Sequence, residues 1–153
     1  MKTLTFSLAL LVSLFFIAGC SASSLSSPFG SKVKKEYFTG GKLRSEFIME
    51  NGNTQNGTLK KYGYSGHITS VSHIKNGVND GIETWYDPQG RILMKIPYVN
   101  GKKHGTQEAY YPNGDVMITT TYQNGMKEGK AVTYNKDGSI HKQAIFQHGK
   151  MIN

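Results

Sequence analysis

Nucleophilic catalysis needs a Ser or Cys within reach of a His and an acid, and this chain offers five His and a single Cys. His67, His73, His104, His141 and His148 fall in different columns of the repeat described below, so no His ladder forms. His141 and His148 stand seven apart, and only a turn bringing them together would make a metal pair, so no metal is expected. Asp80, Glu83 and Asp87 are the nearest approach to paired acids, but they fall in turns or on a short strand, where solvated charge is the expectation. No phosphate-binding loop is present, because the glycines serve hairpin turns. The chain therefore reads as a non-enzyme that carries no cofactor. What remains is binding chemistry. Trp85, Tyr64 and Tyr111 stand beside Lys60, Lys61, Lys102 and Lys103, an aromatic and cationic set suited to stacking bases or anchoring a protein partner.

Cys20 has a different chemistry. Lys2 is followed by an apolar run from Phe6 to Phe16, and Ile17-Ala18-Gly19-Cys20 closes it. This is the pattern of a secretory signal peptide, too short for a spanning helix. Its last four residues resemble the bacterial lipobox, in which small residues admit the peptidase and the Cys thiol takes a diacylglycerol. The resemblance implies a leader over 1–19, a lipid on Cys20, and attachment of the mature chain to a membrane of the cell envelope. Ser21 follows where Asp would favour retention at the inner membrane, so an outer-membrane lipoprotein is expected if the source has two membranes. With the thiol consumed, no Cys is left for a disulfide. Export also removes the chain from nucleic acid, and the RNA reading falls with it. Residues 20–35 are Ser-rich with Pro28 and Gly30 and read as a flexible tether closed by Lys32, Lys34 and Lys35.

The candidate binding residues are positioned by a repeat. Asn-Gly opens each of three copies at Gly77, Gly101 and Gly125, a second Gly follows at Gly81, Gly105 and Gly129, and a third at Gly90, Gly114 and Gly138. Every step is 24 residues, the mark of a stacked repeat array. Gly52, Gly57, Tyr62, Gly66, Ile68 and Ile74 fill the same columns upstream, with one extra residue between Gly52 and Gly57. Tyr37, Gly41, Leu43 and Met49 supply half a unit before that, and His148-Gly149-Lys150 begins another. One column reads Tyr37, Tyr62, Tyr86, Tyr110, Tyr134.

Within a unit the apolar residues fall two apart, as in Ile92, Met94, Ile96 and Tyr98, which predicts a strand with one face turned inward. A shorter strand such as Ile82 to Tyr86 precedes it. Asp87-Pro88-Gln89-Gly90 and Tyr111-Pro112-Asn113-Gly114 predict type I turns ending on a left-handed Gly, and the Asn-Gly pairs predict the return turns. Each unit is then a hairpin, and residues 36–153 form an all-β antiparallel meander of about ten strands. The Tyr column, the Leu43, Ile68, Ile92, Val116, Ile140 column and the Met49, Ile74, Tyr98, Tyr122, Phe146 column are expected to share one continuous stripe on the inward face. Trp85 and Lys61, with Ala109 and Thr133 in the same column, are expected opposite the Tyr column.

Asn100-Gly101-Lys102-Lys103-His104-Gly105, Tyr110, Pro112-Asn113-Gly114 and Tyr122 resemble the MORN-type repeat variant of bacterial YwqK-like antitoxin proteins, and the resemblance runs from Tyr37 to the end. It implies an elongated single β-sheet used for protein contacts, with no catalytic residues to carry over. The formal charge of +8 also favours anionic surfaces. The reading reached is a membrane-anchored, non-catalytic protein-interaction module presenting a basic sheet face to a protein partner. Its rivals are an immunity protein against a toxin and a binder of cell-wall glycan or anionic lipid.

Overall fold

Two turns alternate along the chain, and both are fixed by residues that tolerate positive φ. The computed structural model describes residues 32–152; the stretch read as a leader, Cys20 and most of the stretch read as tether lie outside them. At the Asn-Gly turns both central residues are left-handed: Asn76 has φ 52° and Gly77 φ 78°, and Asn100–Gly101 and Asn124–Gly125 repeat the arrangement. These are type I′ turns, whose twist suits a two-residue hairpin. At the other end of each hairpin the Gly90 N–H donates to the Asp87 carbonyl at 3.0 Å and the Asp87 N–H to the Arg91 carbonyl at 2.9 Å. Gly90 is left-handed at φ 79°. The same pair of bonds recurs at Tyr111–Asp115 and Asn135–Ser139.

Between these turns run β1 (Val33–Tyr37), β2 (Leu43–Met49), β3 (Gly57–Tyr62), β4 (Ile68–Lys75), β5 (Val78–Asn79), β6 (Gly81–Tyr86), β7 (Ile92–Val99), β8 (Lys102–Lys103), β9 (Gly105–Tyr110), β10 (Val116–Gln123), β11 (Met126–Tyr134), β12 (Ile140–Gln147) and β13 (Lys150–Met151). They form one antiparallel sheet in which chain order is spatial order, with the two-residue β5 and β8 pairing only the ends of β4 and β7. This is the expected meander. β1 begins at Val33, inside the stretch read as tether, because Val33 to Tyr37 find partners in Ile48 to Leu43. A 3₁₀ turn at Glu50–Gly52 precedes the extra residue, which is taken up over residues 53–56 by a turn in which the Gln55 N–H donates to the Asn53 Oδ1 at 2.8 Å.

Units are tied to one another at the Asn-Gly end. The Gly77 N–H reaches back to the Gln55 carbonyl at 2.9 Å, Gly101 to Asn79 at 2.8 Å, Gly125 to Lys103 at 2.8 Å and Gly149 to Lys127 at 2.9 Å. A side chain of the preceding unit also accepts from the residue before each turn Gly: Asn56 from the Asn76 N–H at 2.7 Å, Asp80 from Asn100 at 3.0 Å and Glu128 from His148 at 2.7 Å. His104 occupies that column in the intervening unit.

A bulge divides the two faces. Trp85 pairs with Met94, but Tyr86 pairs with Ile92, so Leu93 is an extra residue opposite the Tyr. The same step occurs at Tyr37, Tyr62, Tyr110 and Tyr134, with Arg44, Thr69, Met117 and His141 as the extra residues. Neighbours along a strand face opposite ways, so Tyr86 is on the opposite side from Trp85. We call Trp85's side the front face and the Tyr column's side the back face. The expected single stripe is therefore split. The Tyr column and its Ile92-type partners lie on the back face near the Pro-containing turns. The Ile74, Tyr98, Tyr122, Phe146 column lies on the front face near the Asn-Gly turns. The inward and outward assignment is corrected too: Ile96 and Val132, each 7% exposed, are the buried apolar side chains among the described residues, one on each face. The sheet is a single layer, so neither side is sealed by a second one.

Candidate functional site

An unbroken row of paired residues crosses the front face: Glu36, Ser45, Lys61, Ser70, Trp85, Met94, Ala109, Ile118, Thr133 and Lys142. It contains the predicted Lys61 and Trp85 column, and it places those two side chains on either side of Ser70. Ser70 is fully buried, and its hydroxyl has no hydrogen-bond partner. Trp85 stays 39% exposed beside it. In the next row Glu83 is 6% exposed, accepts a hydrogen bond from the Ser72 hydroxyl at 3.2 Å and hydrogen-bonds with Tyr98. Burial first, and then Glu83, push the Tyr98 hydroxyl above its ordinary pKa. Glu83 is thus not the solvated charge expected of it, because its position faces the most covered rows of the sheet.

Asp87 is the second acid to depart from that expectation, at 8% exposed. Its carboxylate accepts from the Gln89 and Arg91 N–H groups, each at 2.9 Å, and from the Arg91 Nε at 2.6 Å. Burial pushes its pKa up, but the Arg91 and Gln89 donors outweigh burial and hold it below the usual carboxylate value. Asp87 therefore closes its own turn.

The predicted basic residues do not share one face. Lys61, Trp85 and Lys103 are on the front; Lys103 pairs with Tyr98 and holds its ammonium 5.0 Å above the Tyr122 ring. Lys127, paired with Tyr122, sits 4.8 Å above Phe146. Cations and rings thus alternate along the Asn-Gly margin, each ammonium drawn to a ring face. Lys60 and Lys102 follow or precede a front residue by one position and so face the back. Lys60 lies 3.5 Å from Glu46, which also accepts from the Tyr62 hydroxyl at 2.6 Å. Tyr111 is at a turn, and its hydroxyl donates to the Tyr134 carbonyl at 2.8 Å, tying one unit to the next.

A groove of about 530 Å³ lies on the front face over β1 to β4. Phe47, Leu59 and Ile74 form its apolar floor, and Lys34, Arg44 and Lys61 are its cations. Sequence reasoning found Lys61 but missed the rest. Arg44 reaches the groove from the bulge, and that bulge is implied by spacing alone: Gly81 to Tyr86 is five steps, whereas their partners Tyr98 to Ile92 are six apart.

This alternation of short strand, left-handed Gly, long strand and Asn-Gly turn is a recurring unit with known relatives. Residues 79–100 and 103–124 match the MORN repeat variant. Each matched stretch of this variant opens two residues before a Gly that begins a short strand and closes on the Asn of an Asn-Gly turn, so each spans one structural unit. The same columns continue on both sides of the matched repeats. MORN repeats are generally non-catalytic and often mediate protein or membrane interactions. No relative was found among curated proteins.

Proposed function

We propose that this protein is a lipoprotein held in the cell envelope by Cys20, whose MORN-like sheet engages a protein partner through its front face. The observation that carries this reading is Trp85. A large aromatic side chain, 39% exposed, stands in the middle of an uncovered sheet face, across Ser70 from a lysine with no acidic neighbour within ion-pair range among the described residues. Trp in such a setting is the residue type most often found to dominate an interface. Repeats of this kind are generally non-catalytic, and the role proposed is contact rather than catalysis.

The lipid on Cys20 would fix the sheet near a membrane, the outer one if the source has two, and a doubly or triply acylated Cys does not leave readily. Cross-linking in intact envelopes followed by mass spectrometry tests the reading. A reproducible adduct that is lost in Trp85→Ala supports it, and a Cys20→Ser chain should leave the membrane fraction. Recovery of a toxin as the adduct would specify an immunity role. Failure to recover any reproducible protein contradicts the proposal.

A further inference from the structure

We propose that the groove over β1 to β4 receives an extended acidic peptide segment in which an apolar side chain and a carboxylate stand two residues apart. This rests on the protein-interaction reading above and names the segment such a partner would present.

Phe47 and Leu59 pair across β2 and β3 on the front face, and both are half-buried, so an apolar side chain laid over them would remove further apolar surface from water. Lys61 is two positions beyond Leu59 on the same face, about 6.6 to 6.8 Å along the strand. An extended peptide repeats its side chains on one side at the same interval, so an apolar residue over Phe47 and Leu59 brings its second neighbour to Lys61. Lys61 is exposed, and neither it nor Arg44 has an ion-pair partner among the described residues. The groove's acid is already committed: Glu36 lies 3.7 Å from Lys34 and accepts from Ser45 at 3.1 Å. Uncompensated cations over an apolar floor select a partner of opposite charge, and a formal charge of +8 draws it in.

The test uses the full chain in detergent and three labelled octapeptides built on Ser. One carries Phe and Asp two apart, one carries them adjacent and therefore on opposite sides, and one replaces Asp by Lys. Fluorescence anisotropy reads binding, and Trp85, the only Trp in the chain, reports occupancy beside Lys61. The two-apart acidic peptide should bind at least about tenfold more tightly than either control. Lys61→Glu should abolish that preference, whereas Lys102→Glu, on the opposite face, should leave it intact. Equal binding of all three peptides, or equal loss in Lys61→Glu and Lys102→Glu, overturns the proposal. Preferential binding to phosphatidylglycerol vesicles that Lys61→Glu removes, with no peptide bound, overturns it in favour of a lipid surface. If envelope cross-linking still yields a Trp85-dependent partner while the peptides show no preference, the groove assignment fails and the interaction module stands. If both experiments are blank, both fall.

Discussion

Tyr110 shows how one side chain is held on a face with no opposing layer. Its hydroxyl donates to the Glu108 carboxylate, and the Lys95 ammonium sits 5.6 Å from its ring centre, so half-buried apolar surface is combined with two polar contacts. Burial first, and then Glu108, push its pKa from 10.0 to about 12. Tyr62 is raised to about 12 by burial and by Glu46 in the same way. The folded state thus prefers the neutral phenol. Below pH 10 both states are protonated and the contribution is fully present; between pH 10 and about 12 the unfolded chain ionises first, and stability falls. Melting temperature should therefore drop across this window, and Tyr110→Phe should flatten part of that drop. An unaltered alkaline profile in Tyr110→Phe would show that the Glu108 contact does not favour the phenol. Tyr110→Ala removes the ring as well and should cost about 2 to 3 kcal/mol by denaturant titration, less than a sealed core position would lose. The Tyr column was legible in the sequence as a recurrence of one residue type. Its acidic partners were not, because Glu46 and Glu108 meet their Tyr from different directions, one across a strand pair and one two positions along.

At the scale of the hairpin, backbone conformation outranks side-chain chemistry. Asn-Gly, Pro-Asn-Gly and the 24-residue step announced both turns, and the left-handed glycines stand where those turns require them. Gly57 and Gly125 separate two reasons for Gly. A Cβ at Gly125, with φ 90°, would meet nothing within 4 Å, so Gly125→Ala carries only the left-handed strain, about 1 to 2 kcal/mol. A Cβ at Gly57 would stand 2.1 Å from the Ile48 carbonyl oxygen. Gly57→Ala should therefore lower the melting temperature clearly more than Gly125→Ala, and equal shifts would contradict the close approach of β2 and β3. What the sequence hid at this scale was the side each column faces. Strict alternation carries Ile92 and Tyr98 to one side, but Leu93 adds a residue and the parity breaks. One bulge per unit put the Ile74, Tyr98, Tyr122, Phe146 column on the front face, apart from the Tyr column, while simple alternation along β3 turns Lys60 away from Lys61.

As a whole, the molecule is a one-dimensional stack in which each unit touches its neighbours, so stability should scale with units rather than with a central core. Deleting residues 101–124 joins Asn100 to Gly125 and restores an Asn-Gly turn. Such a chain should still melt cooperatively, at a lower temperature. Deleting 101–123 leaves one extra residue in that turn and should cost more than the 24-residue deletion. If the shorter deletion proved the milder one, the unit boundary would be misplaced. The openness of the sheet was legible through the resemblance of the repeat and not through the strand pattern, since period-two strands by themselves read equally well as one side of a two-layer fold. Openness is also what leaves Trp85 and Lys61 available. A photo-reactive phenylalanine analogue placed at Trp85 on the front face, or at Ile82, which is 58% exposed on the back, compares the two faces in intact cells. A protein adduct from position 85 that is absent from position 82 is expected. Adducts of equal yield from both positions, or from position 82 alone, would contradict a front-face docking site.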